Sequence, residues 1–298
     1  MSYDAIIVGG GPAGLSAALI LGRCRRRVLV CDAGNPRNAA SHGLHGFLTR
    51  DGIPPGDFLG IGRRQLSRYG VEFRKAEVVA ASRRAGRFVL RLKNGSRLVS
   101  RMLVLATGVL DRLPGIEGFR EHYGRSVFHC PYCDGWEVRD KPLAVYGRSA
   151  GALGLALSLT TWSKDVVLCT DGRARLTTAQ RKTLSRNHVR LREEKVMRLE
   201  GRKGALRRVV FRRGPPLSRA ALFFATGQYQ RSALAESLGC EFNRKGTVKT
   251  DRFERTCVPG LFCVGDASED VQLVIVAAAE GAKAAFALNA ALQKEDRK

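Results

Sequence analysis

Acidic side chains are in short supply: 27 aspartates and glutamates stand against 51 lysines and arginines, giving a formal net charge of +24. Such an imbalance invites a nucleic-acid reading, but other absences weigh against it. The sequence has no recognition module, its arginines run from Arg23 to Arg297, and its longest basic block is Arg25-Arg26-Arg27. The first expectation is a dispersed basic surface, the second is steering of an acidic partner, and nucleic acid comes last. Long apolar runs are lacking too, with no stretch approaching the roughly 18 to 20 residues that cross a bilayer. Tyr3-Asp-Ala-Ile6 enters a strand pattern with no basic leader before it. We expect a cytoplasmic chain that makes no membrane contact.

Cysteine is scarce and scattered, eight in 298 residues, which excludes a disulfide scaffold. Only Cys130 and Cys133 have motif spacing. Cys24, Cys31, Cys169, Cys240, Cys257 and Cys263 read mostly as small buried hydrophobes. A zinc site needs about four ligands. His122 and His129 lie near the pair, but no second CxxC completes a set, so no metal is expected.

What is present fits a folded globular protein: 44% hydrophobic and 26% charged residues, with length enough for two domains. The opening reads as strand Ala5-Ile-Ile-Val8, turn Gly9-Gly-Gly-Pro-Ala-Gly14, an apolar helix through Gly22, and strand Val28-Leu-Val-Cys-Asp32. This is a GxGxxG in its proper context. Gly9 serves the tight turn, Gly11 the backbone approach to a pyrophosphate, and Gly14 the helix–strand packing, while Asp32 can bond a ribose diol. A second copy begins about 140 residues later with Leu143-Ala-Val-Tyr146 and Gly147-Arg-Ser-Ala-Gly-Ala152. Each copy is followed by a strand ending in Ala-Thr-Gly, at Ala106-Thr107-Gly108 and Ala225-Thr226-Gly227. Leu261-Phe-Cys-Val-Gly265-Asp266 and the apolar helix after it, from about Val271 to Leu292, return to the first domain. We expect an α/β chain with two Rossmann-like FAD/NAD(P)-binding domains, the second inserted into the first: 1–111 plus 245–298, interrupted by 112–244.

Together, the nested units, the Ala-Thr-Gly strands, His129-Cys-Pro-Tyr-Cys-Asp-Gly135 and the C-terminal Gly-Asp resemble the low-molecular-weight thioredoxin reductase family of flavoproteins over nearly the whole chain. The resemblance implies that FAD is held by Gly9, Gly11, Pro12, Ala13 and Gly14 at the pyrophosphate, Asp32 at the adenosine ribose and Asp266 beside Gly265 at the ribityl chain. Ala106, Thr107 and Gly108 belong to the same cofactor site, with Ala278, Ala279 and Glu280 near the flavin. It implies a homodimer and a thioredoxin-like protein or small dithiol or disulfide as partner. It also assigns Cys130 as the interchange thiol, Cys133 as the flavin-facing thiol and Asp134 as the proton carrier. Independently of the family, two cysteines at i and i+3 on a helix start can close a small disulfide ring, and the amide dipoles there favour thiolate.

The second unit departs from the family pattern. Ser149 replaces the glycine that touches a pyrophosphate, and Cys169-Thr-Asp171 stands where His-Arg-Arg grips a 2′-phosphate. The second nucleotide site, Gly147, Ser149, Ala152 and Asp171, is thus doubtful for NADPH. It suits NADH or the adenosine half of a second FAD better, while Arg173 and Arg175 just beyond are the cations that would compensate if NADPH binds. Asn35-Pro-Arg-Asn38 and the Cys-Pro-Tyr-Cys spacer are similar to the dithiol oxidases and diflavin-linked disulfide oxidoreductases of this family. Tyr132 and Trp136 read equally as core or as flavin contacts, and His42 and His45 as surface residues or proton shuttles. Two alternatives stay open: an NADPH-dependent reductase and a flavin-bearing redox sensor on nucleic acid.

Overall fold

The computed structural model describes residues 2–268 and 271–297. The chain forms two compact units, Met1–Ala39 with Gly46–Leu110 and Tyr229–Lys298, and Ala40–His45 with Asp111–Gln228. The first opens with β1 (Tyr3–Val8), α1 (Pro12–Arg23) and β2 (Val28–Asp32), in which β1 and β2 pair in parallel. Both strands are apolar nearly throughout, as a sheet covered on two faces requires. Pro12 sits at the first helical position of α1, where its missing amide costs nothing. Next come α2 (Pro55–Ser67), β3 (Glu72–Lys75), β4 (Val78–Arg84), β5 (Arg87–Leu92) and β6 (Arg97–Leu105). The sheet order is β3-β2-β1-β6-β5-β4. β6 serves two pairings, antiparallel to β5 through residues 97–100 and parallel to β1 up to Leu105.

After β7 (Val109–Asp111), the second unit carries α3 (Phe119–His122), β8 (Val127–Phe128), α4 (Pro131–Asp134), β9 (Leu143–Tyr146), α5 (Ala150–Ser158), β10 (Val166–Cys169), α6 (Thr178–Arg186) and β11 (Arg190–Arg192). A capping box of Thr177 and Gln180 starts α6. An antiparallel meander follows, β12 (Val196–Arg202), β13 (Ala205–Phe211) and β14 (Leu217–Ser218), and then β15 (Ala221–Phe224). The parallel sheet runs β11-β10-β9-β15-β8. One face packs on α5 and the other on the meander, so both faces are buried.

The chain returns through β16 (Gln228–Gln230) and α7 (Leu234–Ser237) to β17 (Leu261–Cys263), which pairs in parallel with β6, and ends on α8 (Val274–Asp296). Two sequence expectations need correction here. The inserted unit ends at Gln228, not at 244, because Leu234, Ala235 and Cys240 share a buried cluster with Phe88 and Leu90 of the first unit. A bilayer-length apolar helix does exist: α8 has 23 residues and passes that test by composition. It is a core helix, since Ala284, Ala285, Leu288 and Leu292 are buried with Ala17, Ala18 and Leu21 of α1. A Cβ at Gly281 would lie 2.0 Å from the Ala13 carbonyl oxygen, so the α1–α8 crossing needs glycine there.

Candidate active site

The dithiol segment begins where the buried strand β8 ends. The chain bends at His129, and Cys130 becomes the N-cap of α4 with Pro131 at the first helical position. Pro131 fixes its own φ for the turn, and Cys130 Sγ accepts from the Cys133 amide at 3.1 Å. Cys130 and Cys133 form a disulfide with Cα atoms 5.3 Å apart. Neither cysteine is fully buried, as exchange with an outside thiol requires. Gly135 is dictated by packing, for a Cβ there would meet the Pro131 oxygen at 2.5 Å and the Trp162 ring at 2.9 Å. Asp134 is half-buried, and burial first, then the charge of Glu137, pushes its carboxyl up to about 7. A group poised there can hold or release a proton at neutral pH.

Around this pair the aromatics face outward. Tyr132 and Trp136 are 74% and 65% exposed, so neither is core. Tyr132 meets Trp162 edge-on, and the Arg139 guanidinium lies 4.0 Å from the Trp136 ring centroid. His45 Nε2 lies 3.5 Å from Glu137, which brings a residue of the 40–45 loop to the dithiol segment. His42 is exposed. His122 is buried in packing, and no metal-holding group of His, Cys, Asp or Glu occurs among the described residues.

The residues expected to hold FAD gather at the carboxyl ends of β1, β2 and β6 and the start of α1. Gly9 has φ +114, and a Cβ on it would strike the Ala106 carbonyl at 2.1 Å; one on Gly14 would strike the Gly9 oxygen at 1.9 Å. Gly11 differs. Its φ is an ordinary −77° and a Cβ there would meet no protein atom within 4 Å. Nothing in the protein requires glycine at that point, whereas a phosphate drawn to the amides of α1 would. Gly10, to which the sequence reading gave no role, would collide with Asp32 at 2.8 Å if it carried a Cβ. Asp32 itself accepts from the Gly10 amide at 3.1 Å and from Arg63 at 3.0 Å. The residues therefore fit the adenosine half of an FAD.

Gly265 and Asp266 follow β17. Glu280 accepts from the Gly265 amide at 2.6 Å, and burial with the Glu254 charge pushes its carboxyl up to about 7. Asp266 pairs with Arg37 at 2.9 Å, and Arg37 also donates to Gln272. Ala106, Thr107, Gly108 and Ala278 are all partly exposed. Sequence reasoning missed Arg37 and Arg63. The only signal was that Asn35-Pro-Arg-Asn38 looked unusual for the family.

The second nucleotide fold is built differently. Gly147 keeps a φ of +152, where a Cβ would crowd Ala152 at 2.9 Å. Ser149 caps α5, its hydroxyl accepting from the Ala152 amide at 3.4 Å. Asp171, expected to meet a ribose, instead accepts from the Val196 amide at 2.9 Å and the Tyr146 hydroxyl at 3.1 Å and pairs with Arg148 at 3.3 Å. Arg148 also donates to the Thr170 carbonyl at 2.9 Å. Both carboxylate oxygens are thus engaged inside the fold.

A dinucleotide cradle, a second Rossmann unit and a CxxC disulfide define a nucleotide-dependent disulfide oxidoreductase. The family model for pyridine nucleotide-disulphide oxidoreductases matches residues 3–281, and the chain belongs to that family. Thioredoxin reductase tcpT of Claviceps purpurea is 34% identical over 88% of this chain and 86% of its own. The crystal structure of HlmI superposes with a TM-score of 0.95 at 43% identity, covering 99% of this chain and 94% of that one. An oxidoreductase from Agrobacterium tumefaciens superposes at 0.92 with 35% identity, covering 98% and 99%. The protein is a thioredoxin reductase-like, FAD-dependent disulfide oxidoreductase with two Rossmann-like domains.

Proposed function

We propose that two electrons pass between bound FAD and the Cys130–Cys133 disulfide, and that the second nucleotide fold does not take NADPH in the usual way. The observation that carries this reading is the disulfide itself, closed across the first turn of α4 beside a carboxyl held near neutrality. FAD, when bound, supplies a two-electron acceptor or donor. Its holders are Gly9, Gly11, Pro12, Ala13, Gly14 and Asp32, with Ala106, Thr107, Gly108, Gly265, Asp266 and Ala278 completing the site. Cys130 meets the partner, Cys133 faces the flavin and Asp134 carries the proton. The partner is a thioredoxin-like protein or a small dithiol or disulfide, and the exposed Tyr132 and Trp136 offer it aromatic faces. The enzyme works as a homodimer on this reading, and six free cysteines suit a reducing cytoplasm.

Asp171 and Arg148 support the claim about NADPH. A carboxylate tied to its own arginine and to the Val196 amide repels a 2′-phosphate. The direction that follows is dithiol oxidation, with oxygen or another acceptor taking the electrons. The second reading, an NADPH-fed reductase, draws on Arg173 and Arg175 just beyond Asp171. Anaerobic titration followed at the flavin absorbance decides between them. Dithiothreitol bleaches the flavin on the first reading. Bleaching by stoichiometric NADPH overturns it in favour of the second.

A further inference from the structure

The residue before the disulfide lies against a buried carboxylate for which the electron transfer described above has no use. His129 Nδ1 is 3.8 Å from Asp111 Oδ2, and the Asp111 side chain is only 4% exposed. The same oxygen accepts from the Tyr123 hydroxyl at 2.5 Å. All three residues belong to the unit that carries the cysteines. The imidazole packs 6.3 Å from the Phe224 ring, centroid to centroid, and is 31% exposed, so solvent and substrate can reach it. Strand alternation would send residues 129 and 130 to opposite faces. It ends here, because the chain bends at His129 on leaving β8. Burying a carboxylate is costly unless it is paired. Asp111 holds that position beside a phenol and an imidazole, and its charge attracts the protonated form of the ring.

We propose that His129, aligned by the positioning residues Asp111 and Tyr123, is the acid–base group for the outer thiol, Cys130. The inference rests on the redox reading of the cysteine pair. In dithiol oxidation the first substrate thiol gives its proton to the imidazole edge turned away from Asp111. The resulting thiolate attacks Cys130 Sγ, forming a mixed disulfide and breaking the Cys130–Cys133 bond, and Cys133 leaves as thiolate. The second substrate thiol, its proton lost to solvent, attacks the substrate sulfur of that mixed disulfide. Cys130 leaves and takes back the proton held on His129. The dithiol is oxidised by two electrons, and the enzyme disulfide is reduced by two. Asp111 faces the ring and Tyr123 bonds to Asp111; Phe224 on β15 is apolar, and Cys130, Cys133 and Asp134 follow on the ring's own segment.

The test mixes oxidised holoenzyme anaerobically with subsaturating dithiothreitol between about pH 5.5 and about pH 9.5, a span that brackets imidazole and thiol ionisation. The wild-type second-order rate constant is expected to rise through a midpoint in the imidazole range. His129→Asn should lose that rise, fall about 100-fold near neutral pH and approach the wild type once the dithiol ionises unaided. Asp111→Asn should keep the rise and move its midpoint to lower pH, because the imidazolium loses its counter-charge. Added imidazole should restore part of the rate to His129→Ala and none to the wild type. A His129→Asn profile parallel to the wild type, whether lower or equal, overturns the proposal, as does an unmoved midpoint in Asp111→Asn. A wild-type flavin that no dithiol bleaches overturns the redox reading itself and this inference with it.

Discussion

Asp134 shows how one side chain joins stability to chemistry. Burial and Glu137 raise its carboxyl from 3.8 to about 7, so the folded state favours the protonated acid. As pH climbs from about 4 to about 7, the fold must hold a charge that burial opposes, and stability drains across that window. Glu280, raised to about 7 by burial, adds to the decline with the same sign. Asp134→Asn should therefore shrink the loss of stability over this window without abolishing it, as read from urea midpoints measured against pH. Glu137→Gln removes the like charge and should bring the Asp134 titration, followed by its carboxyl carbon-13 shift, below 7. A midpoint that stays put would leave burial as the sole cause. Cys133→Ser should abolish flavin bleaching by dithiothreitol, because Cys130 then has no disulfide for the dithiol to reduce and the thiol that faces the flavin is gone.

At the scale of elements, two features depend on single positions. The α1–α8 crossing brings Gly281 against the Ala13 carbonyl, close to the α1 N-terminus proposed to hold the cofactor. Gly281→Ala is expected to cost about 1 to 3 kcal/mol through overpacking and, by shifting α1, to weaken FAD retention; urea unfolding and bound flavin per chain measure the two effects. In the second unit, Asp171 sits at φ +52 and ties β9, the Arg148 turn and the start of β12 together. Asp171→Ala should cost about 1 to 3 kcal/mol for the hydrogen bonds left unmade. Asp171→Asn should cost less, since asparagine tolerates the left-handed backbone and keeps part of the bonding. Equal losses from the two would mean that asparagine keeps none of the carboxylate's bonding.

Across the whole molecule, the legible parts were those with a local sequence signature. GxGxxG at 9–14, its echo at 147–152, the Ala-Thr-Gly strand ends and CxxC at 130–133 each encode a turn whose geometry depends on residues close in sequence. Contacts between distant segments stayed hidden. Nothing local says that Arg37 will reach Asp266, 229 positions away, that Arg63 will reach Asp32, or that His45 will meet Glu137. The domain boundary slipped for the same reason, since residues 234–240 join the first unit by burying side chains and not through any motif.

The second Rossmann unit is where sequence and structure lead to different ligands. Reading Asp171 as a carboxylate awaiting a ribose admits NADH or a second FAD; its three contacts within the fold, against two at Asp32, leave it less acceptor capacity for either. Ser149 acts in the same sense, its hydroxyl occupying an amide of α5 that a phosphate would otherwise use. The first unit shows the contrast. Gly11 caps α1 with no side chain, so the amides of that helix are left to a ligand. One cradle built for a phosphate and one closed by its own side chains predict a single FAD per chain. Acid release of flavin from the purified enzyme, set against protein concentration, should give a ratio near one. A ratio near two would mean that Arg148 and Asp171 part to admit a second dinucleotide, and the second unit would then have to be read as a working site.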